Sequence, residues 1–460
     1  MDRLKLHHKD SNEYKPLEKV DDALGEEQTN GKQEGQKVKK KGLTLLTGSI
    51  YILGELTGIG VLAMPKAVVD MGIIGVPLLA FLCVIATYTA VTLAQCWNIV
   101  EERYSLRHHV HDPYPTIGFH TFGKAGRYLV SVTNGVSLVG VSLVLIILGG
   151  EILQTLFKDT NINTYICLWM LIFSAVVLPL SWLGTPKDMG SVAVGSGIST
   201  LIACILLLVS MGLTILKAPS PPKYNPVYIG PFMMAFGKVT YTYSGHMGLP
   251  TIHIDMENRK TFYKTVIVSF SLTSLAYLPV ALMGYLVFGN IADDNIITTI
   301  NNLDHGTPLI IVVQILLMVH LLTATVINLN PVFQESEKFL KIENAFGIKR
   351  VAFRSVFVAI AVFIAETIPR FGNILSLVGG STMTLLVFVL PLIFYEKLVR
   401  MKGDWHERSI SLHRRVLNYE IIAVAVVAGA AATYSAALAT FSPDTWVQPC
   451  YVNITASETR

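Results

Sequence analysis

The sequence predicts an all-α polytopic membrane protein, and three observations carry that reading: an oily composition, apolar runs of one characteristic length, and basic residues gathered on one side of those runs. Of 460 residues, 52% are hydrophobic and 15% charged, against roughly a quarter charged in an average soluble domain. The apolar residues fall in nearly charge-free runs of about twenty, the length a helix needs to cross the hydrocarbon layer. In lipid every backbone N–H and C=O must pair within its own segment, so such runs are helical. A soluble enzyme and a nucleic-acid-binding protein are both excluded by this pattern.

In chain order, residues 1–42 form a polar stretch rich in Lys, Glu, Gln and Gly, too poor in apolar surface to fold alone. They are expected to be a disordered cytosolic tail. No secretory leader precedes the first apolar run, so that run is expected to direct insertion. Eleven transmembrane helices are expected, at 44–66, 73–100, 127–157, 164–182, 189–216, 229–250, 262–288, 307–330, 350–368, 372–396 and 418–441. Residues 43–441 then make the transmembrane domain and 442–460 a short extracellular or lumenal tail.

With a cytosolic N-terminus, the tail and the connections near 101–127, 183–188, 251–264, 331–354 and 397–415 hold 29 Lys and Arg. The opposite side holds six: Lys66, Lys158, Lys217, Lys223, Arg370 and Arg460. That asymmetry favours the cytosolic N-terminus. It leaves the Asn453-Ile454-Thr455 glycosylation sequon outside the cytosol, as N-glycosylation requires. Cys83, Cys96, Cys167 and Cys204 fall in or at spans and are expected to pack as small apolar residues. Cys450 has no partner that the sequence brings within reach.

The first span is not a plain anchor. It reads Gly54-Glu55-Leu56-Thr57-Gly58-Ile59-Gly60-Val61-Leu62-Ala63-Met64-Pro65, and the sixth reads Tyr241-Thr242-Tyr243-Ser244-Gly245-His246-Met247-Gly248-Leu249-Pro250. Each Gly costs a helix interior about 1 kcal/mol against Ala, and Pro removes a donor. In both spans a Gly is followed five positions later by Pro. Broken helices at corresponding places in two halves point to a five-plus-five inverted repeat, 43–216 and 229–396, with a site between the halves and the eleventh helix, 418–441, peripheral. A break frees peptide groups at mid-depth. N–H ends attract a carboxylate and carbonyl ends an ammonium or cation, so the pair suits a small zwitterion. The plainer alternative is that Gly and Pro serve close packing, as they often do in membrane helices.

These residues resemble the amino acid/auxin permease family over about Leu43 to Phe441. The resemblance is carried by Gly58 to Pro65, by Gly245-His246-Met247-Gly248-Leu249-Pro250-Thr251-Ile252 and by Asn330-Pro331-Val332-Phe333-Gln334. It implies the amino acid transporter fold with helices 1 and 6 broken, and coupling to protons or sodium. By position, Thr57, Gly58, Ile59 and Gly60 would line a carboxylate pocket, with Tyr243, Ser244, Gly245 and His246 facing them. Sodium-coupled relatives look to have Asn where this chain has Gly54, which favours protons.

Ionisable residues inside spans cost about 2.5–3.5 kcal/mol or more at a helix centre and need a reason. Glu55, His246 and Lys238 are candidates for carrying the coupling proton, each weighed against packing or pairing. His320 reads as structural. Tyr14-Lys15-Pro16-Leu17 fits a short sorting signal that an adaptor could read. No phosphate-binding loop and no metal-spaced cluster of His, Cys and carboxylates is present, so neither a cofactor nor catalysis is implied. The expectation is a proton-coupled amino acid transporter; the competing classes are an amino-acid sensor with little flux, and an ion channel.

Overall fold

The computed structural model describes residues 42–56, 58, 60–106, 110, 112–158, 160, 165–182, 189–217, 221–303, 307–343, 346–442 and 448–453, without the side chains of 189–193, 216 and 217. Across these residues the chain is helical. α1 (Leu45–Leu56) and α2 (Gly60–Met71) are followed by α3 (Gly75–Tyr104), α4 (Pro113–Leu156), α5 (Ile166–Trp182) and α6 (Met189–Lys217). Next come α7 (Ile229–Thr242), α8 (Leu249–Asp255), α9 (Phe262–Phe288) and the short α10 (Ile296–Leu303). α11 (Pro308–Phe339), α12 (Ile348–Thr367), α13 (Phe371–Val378), α14 (Leu390–Arg400) and α15 (Leu412–Phe441) complete the order. α13 runs into α14 through two π-helical turns, which makes 371–400 one span.

Among the described residues seven helices are long and apolar enough to cross a membrane, and α1 with α2, bent by 62°, makes an eighth. The three other expected spans are helical but do not meet that measure. α5 has 17 residues. α7 and α8 are two halves separated by an irregular stretch. α12 carries Lys349, Arg350 and Arg354 in its first two turns. The Arg354 charge is accounted for locally: its guanidinium donates to both carboxylate oxygens of the buried Glu337 on α11, at 2.6 and 3.1 Å, and to the Ser181 carbonyl at the end of α5.

One expectation needs correction. α4 is two helices joined across a kink at Phe122 and Gly123, where φ is −131° and 64°; Pro113 sits in the first turn of the earlier one, where its missing donor costs nothing, and the later one covers the third span expected at 127–157. Cys167 and Cys450 are not lone packing residues but a disulfide. Their separation of 283 residues hid the pair; folding brings the chain after α15 back over the start of α5. The Cys450 N–H also donates to the Glu366 carbonyl, and Tyr451 stacks on Phe363 of α12. Cys450→Ser is expected to cost about 2–4 kcal/mol, as loss of a crosslink closing a long loop does. A lowered melting temperature in detergent, matched by reduction of the wild type, would show it.

Among the described residues helix packing sorts the spans into three apolar groups. One gathers α1, α2, α3, α7 and α9 around Ile52, Met64, Val239 and Phe270. Another gathers α4, α5, α6, α11 and α12 around Val144, Phe173, Leu207, Leu321 and Val358. Val61, Leu62, Tyr241 and Tyr277 reach from the first group's helices into the second. The third joins α3, α4 and α14 around Trp97, Ile117 and Phe394. Outward faces carry exposed Phe81, Val84, Val132, Ile205, Val424 and Val427, as surfaces solvated by lipid tails do.

Candidate functional site

The breaks follow from local sequence. α1 stops at Leu56 and α2 starts at Gly60. α7 stops at Thr242, and α8 starts with Pro250 in its first turn, again where proline's missing N–H is harmless. The two breaks lie against each other. A Cβ on Gly60 would fall 2.4 Å from Thr242 Oγ1 and 3.1 Å from its Cα, so only glycine lets α2 approach α7 this closely. A Cβ on Gly245 would stand 2.8 Å from the tip of Leu56, and one on Gly248 2.3 Å from Glu55 Oε2.

The freed peptide groups of the first break are not left bare. The Gly58 N–H donates to the Tyr277 hydroxyl at 2.9 Å, and that hydroxyl in turn lies 3.1 Å from the Leu56 carbonyl and 3.2 Å from that of Gly58. An unpaired buried amide costs about 1–3 kcal/mol, so this α9 tyrosine holds the break open in a satisfied form. Thr57 and Ile59 lie outside the described residues.

The remaining candidates divide. Glu55 is exposed, and its carboxylate reaches from α1 to the α8 break across Gly248. It has no hydrogen bond or ion pair among the described residues. Ser244 turns inward to its own helix, its hydroxyl donating to the Tyr241 carbonyl at 2.5 Å. Tyr243 is fully buried. His246 is also fully buried; its Nε2 lies 3.0 Å from Thr89 Oγ1 on α3 and its ring meets the edge of Phe270 on α9.

Lys238 is buried and lies away from the breaks. Its Nζ is 2.5 Å from Asp294 Oδ1 and 3.4 Å from Asp70 Oδ2, and Lys66 pairs with the other Asp70 oxygen at 2.9 Å. Asp70 is ten residues past Gly60, about 15 Å along the helix. Burial and the adjacent Asp294 carboxylate hold the carboxyl of Asp293, in the loop before α10, above the usual range. Asn453 is exposed, after the disulfide. His320 was expected to be structural, yet its Nε2 is the heavy atom nearest a Cβ built on Gly58, at 3.8 Å. Tyr277, Asp70 and Asp294 were missed. Lys66 and Asp70, four apart, were a legible signal; a single tyrosine within the apolar run of α9 was not.

Residues 41–438 match the family described as transmembrane amino acid transporter protein. The chain belongs to that family. The transporter is 27% identical over 390 residues to amino acid transporter AVT1B of Arabidopsis thaliana, covering 83% of this chain and 68% of that protein. It is 27% identical over 407 residues to lysine histidine transporter-like 3 of the same plant, covering 82% and 86%. Among solved structures, the manganese transporter of Eremococcus coleocola in complex with an aromatic bis-isothiourea substituted compound matches with a TM-score of 0.51 at 14% identity, covering 90% of this chain and 91% of that one. At that identity the match speaks for the fold alone. The transporter is thus a multi-pass integral membrane protein of the amino acid transporter fold.

Proposed function

We propose that the transporter moves amino acids by alternating access between two five-helix halves, 43–216 and 229–396, with α15 outside them, and that a proton gradient drives it. The carrying observation is the contact of the two broken helices, Gly60 on Thr242 and Gly245 on Leu56, with the Glu55 carboxylate free beside them. Broken helices meeting at mid-depth place peptide dipoles around one cavity. Gly58, Gly60 and Gly245, with Thr57, Ile59, Tyr243, Ser244 and His246, are the proposed surroundings of the substrate. Glu55 is better placed than His246 or Lys238 to exchange a proton, since the other two are committed to Thr89 and to two carboxylates. Gly54 offers no side-chain oxygen for sodium.

Charge and chemistry support the proposed orientation. The basic excess on one side supports a cytosolic N-terminus, and the Cys167–Cys450 disulfide supports an oxidising compartment for the other face. Asn453 would be glycosylated there. A plasma membrane or a vesicular or lysosomal membrane fits both, and an adaptor reading Tyr14 to Leu17, outside the described residues, would choose between them.

Flux into proteoliposomes tests the reading. Saturable uptake of radiolabelled amino acids, accelerated by an imposed pH gradient, is the expected result. Binding without flux would mark a sensor, and non-saturating conductance a channel. Tyr277→Phe gives a sharper check on where the carboxylate goes. It should lower the stability of the substrate-free protein by about 1–3 kcal/mol, because the Gly58 N–H loses its partner. Saturating substrate should narrow that gap; an unchanged gap would place the carboxylate elsewhere.

A further inference from the structure

Among the described residues, His320 is the histidine that stands beside the first break. It belongs to α11, which packs on α6 and α4, and it is 4% exposed. Its Nδ1 lies 2.7 Å from the Ser196 hydroxyl of α6 and 3.4 Å from the Ser196 carbonyl, with Thr323 Oγ1 3.1 Å from the same hydroxyl. These contacts fix the ring so that Nε2 points at the break in α1, beside Gly58. Nε2 has no hydrogen-bond partner among the described residues, whereas the Gly58 amide is already taken by Tyr277. Beside Gly58 itself, the open polar atom is therefore an imidazole nitrogen.

The groups facing the ring leave its charge uncompensated from within. α5, α10 and α6 up to residue 215 carry no acidic or basic side chain; Cys204 of α6 is a buried thiol. Tyr277 of α9 is engaged with the α1 break. On α4, Glu151 accepts from Asn295 at 3.0 Å. On α1, Glu55 lies against Gly248. An imidazolium here has no fixed carboxylate partner, so it needs an anion from elsewhere, and the α-carboxylate of a substrate lying in the break supplies one.

We propose that His320 is a substrate-binding and proton-coupling residue: Nε2–H, present in the imidazolium, meets the substrate carboxylate beside Gly58, while Ser196 holds Nδ1. This rests on the reading of the breaks as an amino acid site. Proton and substrate then bind cooperatively, and reciprocity requires each to raise the other's affinity by the same factor. Loss of the Nδ1 proton leaves a neutral ring with Nδ1 accepting from Ser196, which removes the positive charge and weakens the hold on the carboxylate.

The test is uptake of radiolabelled amino acids by purified transporter in proteoliposomes across a range of external pH, with substrate-induced thermal shift measured at the same pH values. Wild-type substrate affinity should rise about tenfold on acidification, within the range usual for coupled sites. In His320→Gln the pH response of substrate affinity should fall well below the wild-type tenfold, to whatever the Glu55 carboxylate alone supplies. Ser196→Ala keeps the imidazole but removes its hydroxyl partner, so the pH midpoint should move while pH dependence persists; this variant decides the matter if His320→Gln does not fold. Equal pH dependence in His320→Gln and wild type, or an unmoved midpoint in Ser196→Ala, overturns the assignment of His320. A wild type that takes up no amino acid overturns the transport reading and this assignment with it.

Discussion

Gly60→Val is expected to reduce saturable amino acid uptake to background while leaving the protein inserted at normal abundance. The reason is geometric. A Cβ at residue 60 would lie 2.4 Å from Thr242 Oγ1, 3.0 Å from its Cβ and 3.1 Å from its Cα. The first could swing aside, but the last is backbone, so α2 and α7 must separate. Overpacking of this kind costs about 1–3 kcal/mol, too little to prevent membrane insertion, which depends on the apolar run. It would displace both broken helices at the point where they meet. Thr242→Ala on the same background removes the hydroxyl and should recover part of the uptake. Full activity in Gly60→Val would remove the paired breaks from the mechanism.

Lys238→Met should produce the largest loss of stability, about 3–5 kcal/mol, the range for removing one member of a buried ion pair. Two carboxylates depend on that ammonium. They are not equally orphaned: Asp70 keeps Lys66 at 2.9 Å, while Asp294 keeps only its position against the first turn of α13, where a Cβ on Gly372 would fall 1.8 Å from Oδ2. Asp294→Asn added to Lys238→Met should therefore restore more stability than Asp70→Asn. Thermal unfolding in detergent measures both; equal rescue, or no loss in the single variant, would show that the cluster is not what joins α7 to α2 and the loop before α10.

The membrane class and most span positions were legible because lipid imposes a length and a composition on every crossing element. The two breaks were legible for a related reason, since Gly and Pro within an otherwise unbroken apolar run have few other uses. What was not legible depended on rotation about helix axes. At a break the 3.6-residue periodicity is interrupted, so the direction in which His246 projects could not be carried across from α7; it projects to Thr89 and Phe270. His320 lies in an uninterrupted helix, but which face of α11 meets α1 is decided by packing against α6. The disulfide was hidden for a different reason: sequence distance says nothing about two ends of helices that meet only after the bundle has closed.

α1 and α8 are joined once more, far from the breaks, where the Leu43 N–H donates to the Asp255 carbonyl at 2.8 Å and the Glu257 N–H to the Leu43 carbonyl at 2.9 Å. Two short rods fastened at their outer tips behave as a single lever, so neither half-helix can swing out alone without first giving up these hydrogen bonds. Gly42 enters the same fastening, a Cβ there falling 2.8 Å from the Glu257 nitrogen. Displacing Gly42 would thus move both rods together.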